Sequence, residues 1–156
     1  ASTPSKWGGI TRCFLVYKDI CCVLSSKINN NISEHHPLRD YKVYTFNGKA
    51  EFCMINQDRG IHTRADYFDR NFNWMDFTWG YDHAEHCPEK PKNYELMFAL
   101  AEKLAIGTTE LRVDFYEVNG KVYFGELTFF DGSGFDKIDP TEMNYKLGEM
   151  IELSCI

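Results

Sequence analysis

A chain of 156 residues that is 44% hydrophobic and 15% aromatic, with 12 Phe and 9 Tyr, can bury one genuine core. That composition excludes disorder over most of its length. The net charge of −6 argues against a broad basic face for nucleic acid and against an anionic membrane surface, while leaving room for an acidic metal site or an anion held by a few local cations.

Residues 1–9 (ASTPSKWGG) read as a flexible entry, and residues 10–156 as one domain. The run from Ile10 to Leu24, ITRCFLVYKDICCVL, is rich in β-branched, aromatic and Cys residues and predicts one or two strands. SSKINNNISEHHP is polar and loop-like. DYKVYTFNGKAEFCMI predicts a β-hairpin turning at Asn47-Gly48. From Asn56 to Pro91 the chain shows no clear period, which suggests a functional loop carrying Trp74, Trp79 and several Asp and Arg residues. A helix follows over NYELMFALAEKLA, with Leu96, Phe98, Leu100, Ala101 and Leu104 on one side, Asn93 as N-cap and Gly107 as stop. ELRVDFYEVNGKVYFGELTFFDGSG predicts a second hairpin, and a last helix, roughly Thr141 to Ser154, would bury Met143, Leu147, Met150 and Ile151. Strands, loop, helix, hairpin and helix make an α+β domain with a mostly antiparallel sheet and flanking helices.

The second hairpin carries the chemistry. Leu111, Val113 and Phe115 are apolar at odd positions, and so are Tyr123, Leu127 and Phe129 across the turn. A strict two-residue loop at Asn119-Gly120 would put these sets on opposite faces. One core face for both requires an odd loop, such as a type I turn ending with Gly120 as a G1 bulge. Arg112, Asp114, Glu126 and Thr128 then share the face away from the core. Two carboxylates about 5–8 Å apart on such a face repel unless a cation lies between them, and hard oxygen donors suit Mg²⁺. An Arg beside them can clamp a phosphoryl oxygen. The other reading is an acid pair on a solvated face.

Arg112-Val113-Asp114 followed by Glu126-Leu127-Thr128 and a Gly-containing loop resembles the metal-binding end of ATP-grasp enzymes. DYKVYTFNGK, FDRNFN and LRVDFYEVNGKVYFGELTFFDGSGF together resemble the TupA-like ATP-grasp family, from about Asp40 to Leu153. That family is associated with teichuronopeptide and other polysaccharide biosynthesis, and relatives are often labelled glycosyltransferases. The resemblance implies the C-terminal ATP-grasp subdomain of a carboxylate ligase, in which ATP phosphorylates a carboxylate and a nucleophile attacks the acyl phosphate. Asp114, Glu126 and Thr128 would hold Mg²⁺, Arg112 would stabilise the transferring phosphoryl group, and Lys42 would face the nucleotide phosphates. Gly132 and Ser133 would offer loop N–H groups to the developing oxyanion, and Arg64, Asp69 or Arg70 would meet the acceptor, a glycan precursor.

Two features depart from the pattern. Thr128 stands where ATP-grasp enzymes generally have Asn. The N-terminal half that completes the nucleotide cleft has only Gly8-Gly9 and Lys18 as remnants, and Glu34 matches the nucleotide-binding Glu poorly. The chain therefore reads as a catalytic C-terminal half, as a non-catalytic carbohydrate or nucleotide binding module, or as a fragment that needs a partner chain.

The six Cys show no C-x-x-C pair and no zinc-ribbon spacing, so buried thiols are favoured over a disulfide framework. His83, His86 and Cys87 in DHAEHC are close enough for zinc but lack a second ligand pair at a usual spacing, which leaves a polar loop as the alternative. No signal peptide and no apolar run of transmembrane length is present, so a cytoplasmic protein without a membrane span is expected.

Overall fold

The structure, a computed structural model, describes residues 39–57 and 62–152. The expected strands in Ile10–Leu24, the following polar loop, Gly8, Gly9, Lys18 and Glu34 lie outside the described residues.

The first hairpin forms as expected. β1 (Asp40–Phe46) and β2 (Lys49–Gln57) pair antiparallel around Asn47 and Gly48, whose φ values of 50° and 80° meet the type I′ requirement. The segment expected to be a long loop contains three strands instead: β3 (Arg64–Asp69), β4 (Trp74–Met75) and β5 (Thr78–Trp79). β3 escapes a pattern search because both its faces are covered. Ala65 and Tyr67 enter one core cluster while Phe68 enters the other, so the polar–apolar alternation of Arg64–Tyr67 breaks at Phe68 and stays too short to mark a strand.

α1 (Tyr94–Leu104) lies where the helix is predicted, but its buried stripe is Tyr94, Met97, Phe98 and Ala101. Leu96 and Leu104, expected inside, are exposed. Asn93 occupies the N-cap position without a capping bond. Its side-chain amide donates instead to Glu117 and to the Gly120 carbonyl, tying the helix start to the second hairpin.

β6 (Glu110–Val118) and β7 (Lys121–Thr128) form that hairpin. A 3-10 turn follows at Asp131–Gly134, then β8 (Ile138–Asp139) and α2 (Thr141–Glu149). α2 ends earlier than predicted. Leu147 is buried, while Met143, Met150 and Ile151 pack at its margin.

Six strands form one antiparallel sheet in the order β4-β3-β2-β1-β6-β7, and β5 pairs with β8 separately. One face packs on α1 through Tyr41, Val43, Cys53, Ile55, Phe68, Leu111, Val113 and Phe115. The other carries Tyr44, Phe46, Phe52, Met54 and Tyr67, joined by Phe77 and by Leu147 of α2. Each fully buried Phe or Leu contributes about 1.5–3 kcal/mol, so both layers stabilise the sheet. The central strands β1 and β6 are thus covered on both sides, which decides the environment of their charged residues.

Candidate functional site

The parity of the β6–β7 hairpin changes inside β7, not at its turn. Asn119 and Gly120 form a strict two-residue loop with φ values of 52° and 71°, and Val118 pairs with Lys121. Near the turn Phe115 opposes Phe124, but beyond a bulge Val113 opposes Leu127 and Arg112 opposes Thr128. The odd loop expected from sequence is therefore corrected: one extra residue in the Gly125–Glu126 region restores the register. The apolar set is corrected with it. Val122, Phe124 and Leu127 pack on the α1-side core, whereas Phe129 is exposed.

Gly125 makes the bulge sterically possible. A Cβ there would sit 2.9 Å from the Asp114 carbonyl oxygen and 3.0 Å from Tyr116 Cε2. Strand pairing then aligns the functional side chains. Lys42 lies opposite Asp114, Tyr44 opposite Arg112, and Arg112 opposite Thr128. Because register partners project to the same face, all of these reach the side of the sheet away from α1.

That face is not solvated. Asp114 is 2% exposed, Lys42 7% and Arg112 9%. Arg112 is the centre of the cluster. Its Nε donates to Asp114 Oδ1 at 2.8 Å, and Nη2 donates to Asp114 Oδ2 and Glu126 Oε1, each at 3.0 Å. Nη1 donates to Asp131 Oδ1, and the Tyr44 hydroxyl donates to Asp131 Oδ2. Lys42 Nζ donates to Asp114 Oδ2 and lies 2.9 Å from Asp40 Oδ2. Thr128 Oγ1 stands 3.5 Å from Glu126 Oε1 at the exposed rim.

Among the described residues, four carboxylates thus surround two cations. Burial would lower the Lys42 pKa, but Asp114 and Asp40 outweigh it and raise the ammonium above its ordinary value. Arg112 follows the same balance: burial opposes its charge, and Asp114 with Asp131 more than compensates. Tyr44 is pushed well above the ordinary phenol value, first by burial and then by Asp131.

The donor set fits a hard divalent cation in its chemistry, being carboxylate and hydroxyl oxygen. In this arrangement the carboxylates converge on Arg112 instead. Among the described residues no group of three or more His, Cys, Asp or Glu side chains is placed to hold a metal.

The sequence matches the family described as TupA-like ATPgrasp over residues 12–152. The chain belongs to the TupA-like ATP-grasp family. ATP-grasp proteins generally bind ATP and Mg²⁺. No curated protein and no solved structure matches the chain. Within the part that matches this family, sequence reasoning named Lys42, Arg112, Asp114, Glu126 and Thr128, and the fold gathers all five. It missed Asp40, Tyr44 and Asp131. The alternation Asp40-x-Lys42-x-Tyr44 could have revealed the first two, but no pattern shows that the 3-10 turn brings Asp131 over Arg112.

Gly132 lies in that turn at φ 53°, and Ser133 follows it. Next to it a cleft of about 240 Å³ is lined in part by Trp79, Asp131, Asp136, Ile138 and Leu147.

The expected acceptor residues stand apart from the cluster. Arg64 Nη1 donates to the His83 carbonyl at 2.9 Å. Asp69 accepts from Asn71 and Asn73 in the turn after β3. Arg70 pairs with Glu102 and lies over the Phe98 ring on the α1 side. A second polar knot forms at Asp66, 3% exposed, which accepts from Gln57 Nε2, Trp74 Nε1 and the Ala84 N–H and lies 2.9 Å from His83 Nδ1. His83, weighed as a zinc ligand, is thus turned to a carboxylate. Cys53 and Cys87 are free thiols, the first buried and the second exposed; the other four Cys lie outside the described residues. No helix among the described residues is long and apolar enough to cross a membrane.

Proposed function

We propose that the chain is the C-terminal, catalytic half of an ATP- and Mg²⁺-dependent carboxylate ligase that acts on a glycan precursor in the cytoplasm, in polysaccharide or cell-surface glycan biosynthesis. One observation carries the reading. Lys42, Arg112, Asp114 and Glu126, from three neighbouring strands of a chain in this family, form one connected charged cluster.

In this reading Asp114, Glu126 and Thr128 would hold Mg²⁺, which when bound neutralises phosphate charge. Arg112 and Lys42 bind and orient the phosphoryl oxygens. Their pairing with Asp114 fixes both cations on rigid strands, so little reorganisation is needed when charge develops. Gly132 and Ser133 would turn backbone N–H groups toward the oxyanion formed when a nucleophile attacks the acyl phosphate. The two faces of the sheet exclude water beneath the site, which strengthens each of these interactions.

On the acceptor side the reading keeps Arg64, Asp69 and Arg70, the charged residues of β3 and its turn. They would act only on releasing His83, the 71–73 turn and Glu102. The remaining cover over the phosphates would come from an N-terminal half or a partner chain. A second reading, a binding module without chemistry, draws on a different observation: both Asp114 oxygens already accept from Arg112 and Lys42.

Calorimetric titration with ATP separates the two. Binding should require Mg²⁺ and weaken about tenfold or more in Glu126→Gln and Asp114→Asn. Glu126 is mostly exposed, with 58% of its side chain accessible, so its variant should fold even if the Asp114 variant does not. Sugar binding that ignores both ATP and metal would favour the binding module and sink the ligase reading.

A further inference from the structure

Arg112 spends its donors unequally. Nε and Nη2 bind Asp114, which is 2% exposed and fixed in the middle of β6. Nη1 instead reaches Asp131, which belongs to the loop after β7 and has 20% of its side chain exposed. The second oxygen of Asp131 accepts from Tyr44, which the sequence pattern did not mark as a site residue. Tyr44 is 1% exposed, lies opposite Arg112 in the β1–β6 register, stacks on Phe52 and has the Trp79 ring tilted against it. Among the described residues, its hydroxyl has besides Asp131 only a weak acceptor, Met54 Sδ at 3.6 Å.

Two rigidly placed donors on neighbouring strands therefore bind one carboxylate at both oxygens. That is how a protein recognises a carboxylate or a phosphoryl group from outside. The occupant is the one member of the cluster that comes from a loop and also lines the cleft beside Trp79 and Leu147.

We propose that Tyr44 and Arg112 form a two-point oxyanion subsite beneath Asp131, the residue through which the cluster meets this cleft, and that Asp131 is its internal occupant, displaced by an anionic group of the substrate. The ligand class is an oxyanion, either a phosphoryl group or a carboxylate. The inference deepens the ligase reading and rests on it only for which of these anions arrives. Tyr44 is then a specificity-determining residue, and Asp131 sets how strongly an incoming anion must compete.

The test uses the full chain in EDTA without nucleoside, so its outcome does not depend on metal-dependent ATP binding. Tripolyphosphate and succinate are titrated separately by calorimetry into wild type, Asp131→Asn and Asp131→Asn/Tyr44→Phe. Removing the internal anion should tighten binding of at least one probe roughly tenfold, the effect of one charge-assisted hydrogen bond. Adding Tyr44→Phe should remove that gain. A gain confined to tripolyphosphate identifies a phosphoryl subsite, and one confined to succinate a carboxylate subsite. The proposal is overturned if folded Asp131→Asn binds neither probe more tightly than wild type, or if the gain survives loss of the Tyr44 hydroxyl. Should Asp131→Asn not fold, Asp131→Ser removes the same charge, carries the same expectations and is judged by the same two results.

Discussion

Replacing Gly125 by Ala tests the link between hairpin register and site. The added methyl would meet the Asp114 carbonyl oxygen at 2.9 Å and Tyr116 Cε2 at 3.0 Å, and the first of these is backbone that cannot swing aside. β7 must retreat by roughly half an ångström, because such contacts relax only beyond van der Waals distance. Overpacking of this kind costs about 1–3 kcal/mol. For a chain of this size that lowers the melting temperature by roughly 3–10 °C. The strain falls between Val113 and Phe115, where the register shifts, so it also moves Glu126 relative to Arg112. Gly120→Ala is the control. Its φ of 71° makes Ala cost about 1–2 kcal/mol in backbone strain, yet the added Cβ meets no non-neighbouring atom of the described residues within 4 Å. Thermal denaturation should show both variants destabilised. Calorimetry with Mg-ATP should show weakened binding in Gly125→Ala alone. If the two variants bind alike, or if Gly125→Ala melts as wild type does, the bulge does not set the site and the reasoning fails.

The Asp66 knot should be a structural tie. Asp66→Ala leaves the donors of Gln57, Trp74 and Ala84 and the His83 ring without their acceptor, and should cost about 3 kcal/mol by chemical denaturation, with Trp74 fluorescence changing; a loss within a few tenths would refute it. Lys42 has a raised pKa, so its contribution is complete below its ordinary value of 10.5 and is lost as pH rises through the raised folded value. Stability measured from pH 9 to 12 should therefore fall, and Lys42→Met should flatten that fall. Glu102 behaves oppositely. Its pKa is lowered, chiefly by the Arg70 hydrogen bond, so its contribution is present above its ordinary 4.5 and disappears as pH drops through the lowered folded value. The pair is largely exposed, so Glu102→Gln should change the acid limb by only a few tenths of a kcal/mol. Thiol labelling read by peptide mass should reach Cys87 well before Cys53, whose thiol is fully buried and pushed up first by that burial; equal labelling in the folded chain would contradict the packing.

The parts of the fold written in short-range chemistry were legible. The positions of both Asn-Gly turns, α1 and α2 rest on local preferences, though the loop length at Asn119-Gly120 was misjudged. β3 was not legible, because a strand covered on both faces loses the alternation that marks a half-buried one. The buried stripe of α1 was misjudged for a related reason. The sequence offers apolar residues over more than one side, and the sheet surface selects Tyr94, Met97, Phe98 and Ala101.

For the site, the chain alone grouped Arg112, Asp114 and Glu126 by spacing and type with a family pattern, and Thr128 by its position although its type departs from that pattern. It also required a parity correction between the two strands, which the apolar pattern put in the Asn119-Gly120 loop. Tertiary structure placed that correction at Gly125, where two backbones approach too closely for a side chain. It also set Lys42 and Tyr44 beside Asp114 and Arg112 through β1 pairing, and closed the cluster with Asp131. Such contacts join residues up to 87 positions apart, as with Tyr44 and Asp131. They exist only once strands separated in sequence are packed side by side.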